Sequence, residues 1–144
     1  MVPDGIYDLL AAAAKKRSLE DKIVALHTAF KVRPQTVSIL KYALKDGLNF
    51  ILPEGTPPYT PTNKDEDLQS VLPGEVRKLH HFIAGNSPGL RPLKREKLFI
   101  DILESVDPDD AKLLIDMKDK KLPFGRRLTK DHVKAAFPVA AKDW

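Results

Sequence analysis

Apolar residues recur along this chain at intervals of three and four and nowhere alternate over the length of a strand, which predicts helices and no sheet. Ile6, Leu9, Leu10 and Ala13 form one stripe within 4–16, closed by the basic run Lys15-Lys16-Arg17. Ser18-Leu19-Glu20-Asp21 has the form of a capping box and starts a second helix, with Ile23, Leu26 and Phe30 facing inward. Pro34 suits the first turn of a third helix over 35–46, where Val37, Leu40, Ala43 and Leu44 make the buried face and Gly47 ends it. The apolar segment 48–52 then plugs the core.

From 53 to 63 the chain carries four prolines, one glycine and three threonines, the composition of an irregular surface loop without obvious chemistry. A short helical turn over 68–72 precedes a fourth substantial helix, 75–84, with Val76, Leu79, Phe82 and Ile83 inward and Gly85-Asn86 as its stop. After Ser87-Pro88-Gly89, a helix running to about 105 presents Leu98, Phe99, Ile102 and Leu103 on one face. Asp107-Pro108-Asp109-Asp110 is a strong start for the next, since carboxylates there satisfy the positive end of the helix dipole. A final helix over 130–137 buries Val133, Ala136 and Phe137, and Pro138 ends it. The expected fold class is all-α: an irregular compact bundle of six or seven short helices, one domain over 1–144, in which the amphipathic helix within 1–17 either packs on its own domain or is peripheral and docks on a partner.

Composition narrows the function classes. At 144 residues, 42% hydrophobic and 31% charged, the chain suits one globular domain, and no apolar run approaches the ~20 residues that cross a bilayer. Its opening residues lack the form of a secretory leader. With no cysteine there are no disulfides, no thiolate catalysis and no cysteine-ligated zinc, which is compatible with a reducing cytoplasm, the expected location. His27 lies at the edge of a helical stripe with no second ligand at helical spacing. The adjacent His80 and His81 point different ways on a helix and have no acid four residues on, so no metal site is expected. No nucleophile, base and orienting acid can be assembled from the sequence, so the expectation is a protein without catalysis and without a cofactor.

Charge is distributed unevenly. Between Lys118 and Lys134 lie seven basic residues and two acids, a net +5 against +4 for the whole chain, so the rest is about neutral. A localised basic patch describes partners rather than fold, and its usual partner is phosphate. Within it Leu122-Pro123-Phe124-Gly125 stops one helix, and Thr129 is a good N-cap for the next, with Leu128 and Val133 placed as a hydrophobic staple. Arg126 and Arg127 therefore stand beside a helix start, and Gly125 permits close backbone approach, an arrangement suited to a phosphodiester. The competing reading is a solvated cationic turn. A second cluster, Arg91, Lys94 and Arg95, opens the helix that ends near 105, where cations oppose the dipole unless an anion is close. The Lys15-Lys16-Arg17 run reads as separate from both.

The order and spacing of these elements over 19–138 resemble the N-terminal helical DNA-binding domain of ATP-dependent DNA ligases, most closely the T-even phage type. The resemblance is carried by Ile39-Leu40-Lys41-Tyr42-Ala43-Leu44-Lys45-Asp46-Gly47-Leu48-Asn49-Phe50-Ile51, and by Asp109-Asp110-Ala111 through Lys118, then Leu122, Gly125 and Leu128-Thr129 through Phe137-Pro138. The chain also has the size of small proteins of T-even-like phages, which would place it in a host cytoplasm. The resemblance implies that duplex DNA is gripped through backbone phosphates by Gly125, Arg126, Arg127 and Thr129, with Lys120, Lys121 and Lys130 close by and Arg91, Lys94 and Arg95 as a second contact. It implies no sealing chemistry, because adenylation needs lysine, any residue, aspartate, glycine, and Lys45-Asp46-Gly47 lacks the spacer. The alternative is a protein-interaction module that binds a phage or host replication, transcription or virion protein.

Overall fold

The computed structural model describes residues 4–62, 68 and 71–144, and is all-helical. Its elements are α1 (Ile6–Lys15), α2 (Leu19–Val32), α3 (Thr36–Leu44), α4 (Val71–Glu75), a 3₁₀ helix (Val76–Phe82), α5 (Pro92–Ser105), α6 (Pro108–Lys118), a one-turn 3₁₀ helix (Gly125–Arg127) and α7 (Lys130–Ala136). None of the described helices is long and apolar enough to cross a membrane.

Helix α6 is the centre of the bundle. It packs against α1, α3 and α5, and Asp110, Ala111, Leu113, Leu114, Ile115, Met117 and Lys118 are all buried. A helix enclosed on most sides needs apolar residues around most of its circumference, and the run Leu113-Leu114-Ile115 supplies them. Asp107 caps its start by accepting from the Asp109 backbone N–H at 2.9 Å, with Pro108 at the first helical position. Asp110 leaves that cap and instead accepts from the Tyr7 backbone N–H at 3.0 Å, tying the first turn of α1 to α6.

Helix α1 packs on its own domain and is not peripheral. Ile6, Leu10 and Ala13 are completely buried, and Ala14 is nearly so. Alanines 11–14 let α1 lie close against α2, with which it forms a helical hairpin through residues 16–18, and Ser18 caps α2 through the Asp21 N–H. On the other side of α2 lies α7, held by His27 Nε2 on the Ala136 carbonyl and by rings of His27 and Phe30 against Phe137. Phe30, expected inside, is 45% exposed, because it covers the edge of Phe137 rather than entering the core. The chain end folds back, with Ala141 and Trp144 in the main core.

The expected helix over 75–84 is replaced by α4 and a 3₁₀ segment. The tighter winding delivers Phe82 to Ala84 beside 49–51, where Ile51 N donates to Phe82 O (2.7 Å), Ala84 N donates to Asn49 O (2.8 Å), and Phe50 and Ile83 make one antiparallel bridge. The expected turn over 68–72 falls partly outside the described residues, as does the last residue of the proline-rich loop. Residues 53–62 are irregular, as their prolines demand, but they are tied to α5 and the residue after it by the Thr60 N–H on Glu104 Oε2 (2.7 Å) and the Thr62 hydroxyl on the Val106 carbonyl (2.8 Å).

Candidate nucleic-acid interface

The basic stretch divides into two kinds of cation. Lys118 is buried, and its Nζ has three acceptors: Pro53 O (2.8 Å), Gly55 O (3.0 Å) and Asp119 Oδ1 (2.5 Å). Asp119 Oδ2 also accepts from the Gly55 N–H at 3.1 Å. This pair staples the proline-rich loop to the end of α6, so Lys118 has no donor left for a ligand. Lys120, in the left-handed region at φ 59°, sends Nζ to the carbonyls of Tyr42 (3.0 Å) and Lys45 (2.8 Å) and closes the C-terminus of α3. Its pKa is lowered, first by desolvation. Lys121 pairs with Glu54 at 3.3 Å and Lys130 with Asp46 at 2.9 Å; the Lys130 hydrogen bond holds the Asp46 carboxyl below the usual carboxylate range. Three of the cations expected at the phosphate contact, Lys120, Lys121 and Lys130, are thus engaged by the protein's own oxygens.

Thr129 forms a capping box with His132: its side chain accepts from the His132 backbone N–H, and its own N–H donates to His132 Nδ1 at 3.1 Å. The start of α7 is closed by its own side chains, so it is not the open phosphate cradle expected of it. Leu128 and Val133 are both buried, in keeping with the staple. Because Nδ1 accepts, the neutral ring of His132 carries its proton on Nε2.

Arg126 and Arg127 behave differently. Gly125, at φ +54° with open space where a Cβ would stand, turns the chain into the one-turn 3₁₀ helix, and both arginines are exposed. No hydrogen bond or salt bridge engages either guanidinium among the described residues. They line a cleft of about 570 Å³ together with Ala14, Lys15, Lys16, Arg17, Lys22 and His132. Lys15 ends α1 and Lys16 and Arg17 continue it into the α1–α2 link, Lys22 comes from the first turns of α2, and Arg126 and Arg127 from the segment before α7. Six cations from three separate segments face one groove, and among the described residues no acidic side chain is in its lining. The Lys15-Lys16-Arg17 run is part of this site, contrary to its separation in the sequence. What unites the two is the α1–α2 hairpin on one side and the packing of α7 against α2 on the other.

Lys22 is 6% exposed, covered by its neighbours rather than deep in the core, and its Nζ donates to the Ala14 carbonyl at 2.9 Å. Burial and the nearby charge of Arg127 lower its pKa. No carboxylate among the described residues balances it.

The second expected cluster lies elsewhere, since α5 packs against α6 and the 3₁₀ helix Val76–Phe82. Arg91 and Lys94 are exposed at its start, but Arg95 is buried, with one guanidinium N–H on the Leu90 carbonyl at 2.8 Å and Nε without a partner. Arg95 falls four residues before Phe99 and seven before Ile102, on the face turned to the core and away from the exposed Arg91 and Lys94. His80 and His81 direct Nδ1 to the Arg77 carbonyl and the Ser87 hydroxyl, and no group of three metal-ligating side chains occurs among the described residues.

Fold and groove together define a small all-helical protein with an open cationic site that no acid lines among the described residues. The chain belongs to DUF6433, a family of unknown function, which it matches over residues 9–123. The match includes the Lys15–Lys22 side of the groove and stops before Arg126. No curated protein and no solved structure matches the chain.

Proposed function

We propose that this protein is a non-catalytic, largely sequence-independent DNA-binding module, built like the DNA-binding domain of ATP-dependent DNA ligases and contacting backbone phosphates of the duplex. The observation that carries this reading is the convergence of six cations on a groove with no acid in its lining among the described residues. Lysine and arginine there neutralise phosphates and release counterions, a mechanism indifferent to base sequence. The five solvent-facing cations, Lys15, Lys16, Arg17, Arg126 and Arg127, form the contact, and Arg91 and Lys94 form a weaker patch on α5. A cytoplasmic location, and a host cytoplasm for a phage-encoded protein, belongs to the same reading.

The test is titration of labelled mixed-sequence duplex at two salt concentrations. Neutralising four or five phosphates gives a slope of log affinity against log salt of about −4. Absence of binding at low salt overturns the proposal. The competing protein-interaction reading draws on the exposed Leu19, Val24 and Val139. An apolar interface of that kind changes little with salt.

A further inference from the structure

Lys22 differs from every other cation of the groove. The other five stand in water, where an ammonium or guanidinium needs no fixed partner, whereas Lys22 is covered. Covered lysines are normally paired with a carboxylate, because desolvating an ammonium is costly. Here one of three Nζ donors reaches the Ala14 carbonyl, no acid is within ion-pair distance among the described residues, and the uncompensated charge lines the cleft. The five exposed cations increase the cost of that charge, and an anion seated in the groove lowers it.

We propose that the groove takes a phosphomonoester dianion, on a nucleic-acid end or on a small molecule, with Lys22 as the donor at its floor and Arg126, Arg127 and Lys15–Arg17 as its walls. This rests on the phosphate-binding reading above and specifies the ligand of the same site. A diester inside a duplex carries one charge and is tethered on both sides, so it meets the exposed rim. A monoester carries about −1.5 to −2 near neutral pH and has three free oxygens, which suits a covered ammonium between two arginine forks. The open side of the groove admits a terminal group, and Gly125 leaves space beside the arginines.

The experiment compares one blunt duplex with and without 5′-phosphates by fluorescence anisotropy, and adds phenyl phosphate and dimethyl phosphate as competitors. The expected result is roughly tenfold tighter binding of the phosphorylated ends and competition by phenyl phosphate but not by dimethyl phosphate. In Lys22→Met the ratio between the two duplexes falls to about one, while Lys97→Met, on exposed α5 surface, retains it. If Lys22→Met loses its helical spectrum, Arg127→Met reads the same ratio. Equal affinity for both duplexes together with no effect of phenyl phosphate overturns the inference, and duplex binding with the expected salt slope then still supports the general DNA reading. Saturable phenyl phosphate binding that Lys22→Met abolishes, with neither duplex bound, upholds the floor site for a small-molecule ligand and overturns the DNA reading.

Discussion

Lys118 to Lys121 and Arg126 to Arg127 are neighbours in the chain and carry the same sign, yet the bundle uses them in opposite ways. The lysines face the end of α3 and the proline-rich loop, where backbone carbonyls, Asp119 and Glu54 engage them. The arginines face the α1–α2 hairpin, where the other charges lining the cleft are also positive. A charge that already has acceptors holds the protein together; a charge among like charges is available to an external anion. Net charge therefore locates a basic region, and hydrogen-bond partners locate the site within it.

The strongest way to break this comparison is Lys118→Met. Removing one member of a covered, hydrogen-bonded ion pair costs about 3–5 kcal/mol, and urea unfolding should show a loss of that size. Fully folded variant at low temperature should bind duplex as wild type does. A stable Lys118→Met that loses DNA would place Lys118 with the arginines instead.

Asp110 sharpens the contrast between a covered charge with a partner and one without. Its Oδ2 has no partner, and burial, with Asp107, Asp8 and Asp109 adding to it, raises its pKa to about 7 from 3.8 despite the Tyr7 N–H. The folded state thus keeps a proton that the unfolded state has lost. The stabilisation from this group is complete below pH 3.8 and is lost as pH rises through about 7, on the order of 4 kcal/mol at most. Asp110→Asn keeps the acceptor for Tyr7 and cannot ionise, so it should be more stable than wild type at pH 8, with the gap closing toward pH 4 in urea titrations at each pH. An unchanged gap would mean that Asp110 is not the titrating group.

Charge reversal tests the groove. Arg126→Glu with Arg127→Glu should weaken duplex binding by an order of magnitude or more and reduce the salt slope by about two contacts, with stability changed within about 0.5 kcal/mol per site. Lys15→Glu with Lys16→Glu should do the same, although it lies more than a hundred residues away. Arg91→Glu with Lys94→Glu should have a smaller effect. Equal losses from all three pairs, measured by anisotropy, would reduce the site to a general charge effect. The smallest change expected is Lys120→Ala, which frees two carbonyls at the exposed end of α3 and should cost about 1 kcal/mol in thermal or urea unfolding without altering DNA affinity.

The periodicity of apolar residues was enough for the helical class, for most helix positions and for the Ser18, Asp107 and Thr129 caps, because these depend on residues within one or two turns. The same periodicity turns Arg95 inward, four residues before Phe99 and seven before Ile102. Exposure of Arg126 and Arg127 followed from Gly125 and from Thr129 behind it.

The partners of each cation were decided by tertiary structure. Nothing within a few residues of Lys118 indicates that Pro53 and Gly55 accept its protons, and nothing near Arg127 indicates Lys22 or Lys16 as neighbours. Asp110 reads as one more capping acid until α1 places the Tyr7 N–H against it. Helical periodicity is set by local backbone geometry and by which face leaves water, both legible over a dozen residues. Whether a charge is neutralised depends on atoms within a few ångströms in space, and in this bundle those atoms come from segments that only the packing of α1, α2, α6 and α7 brings together.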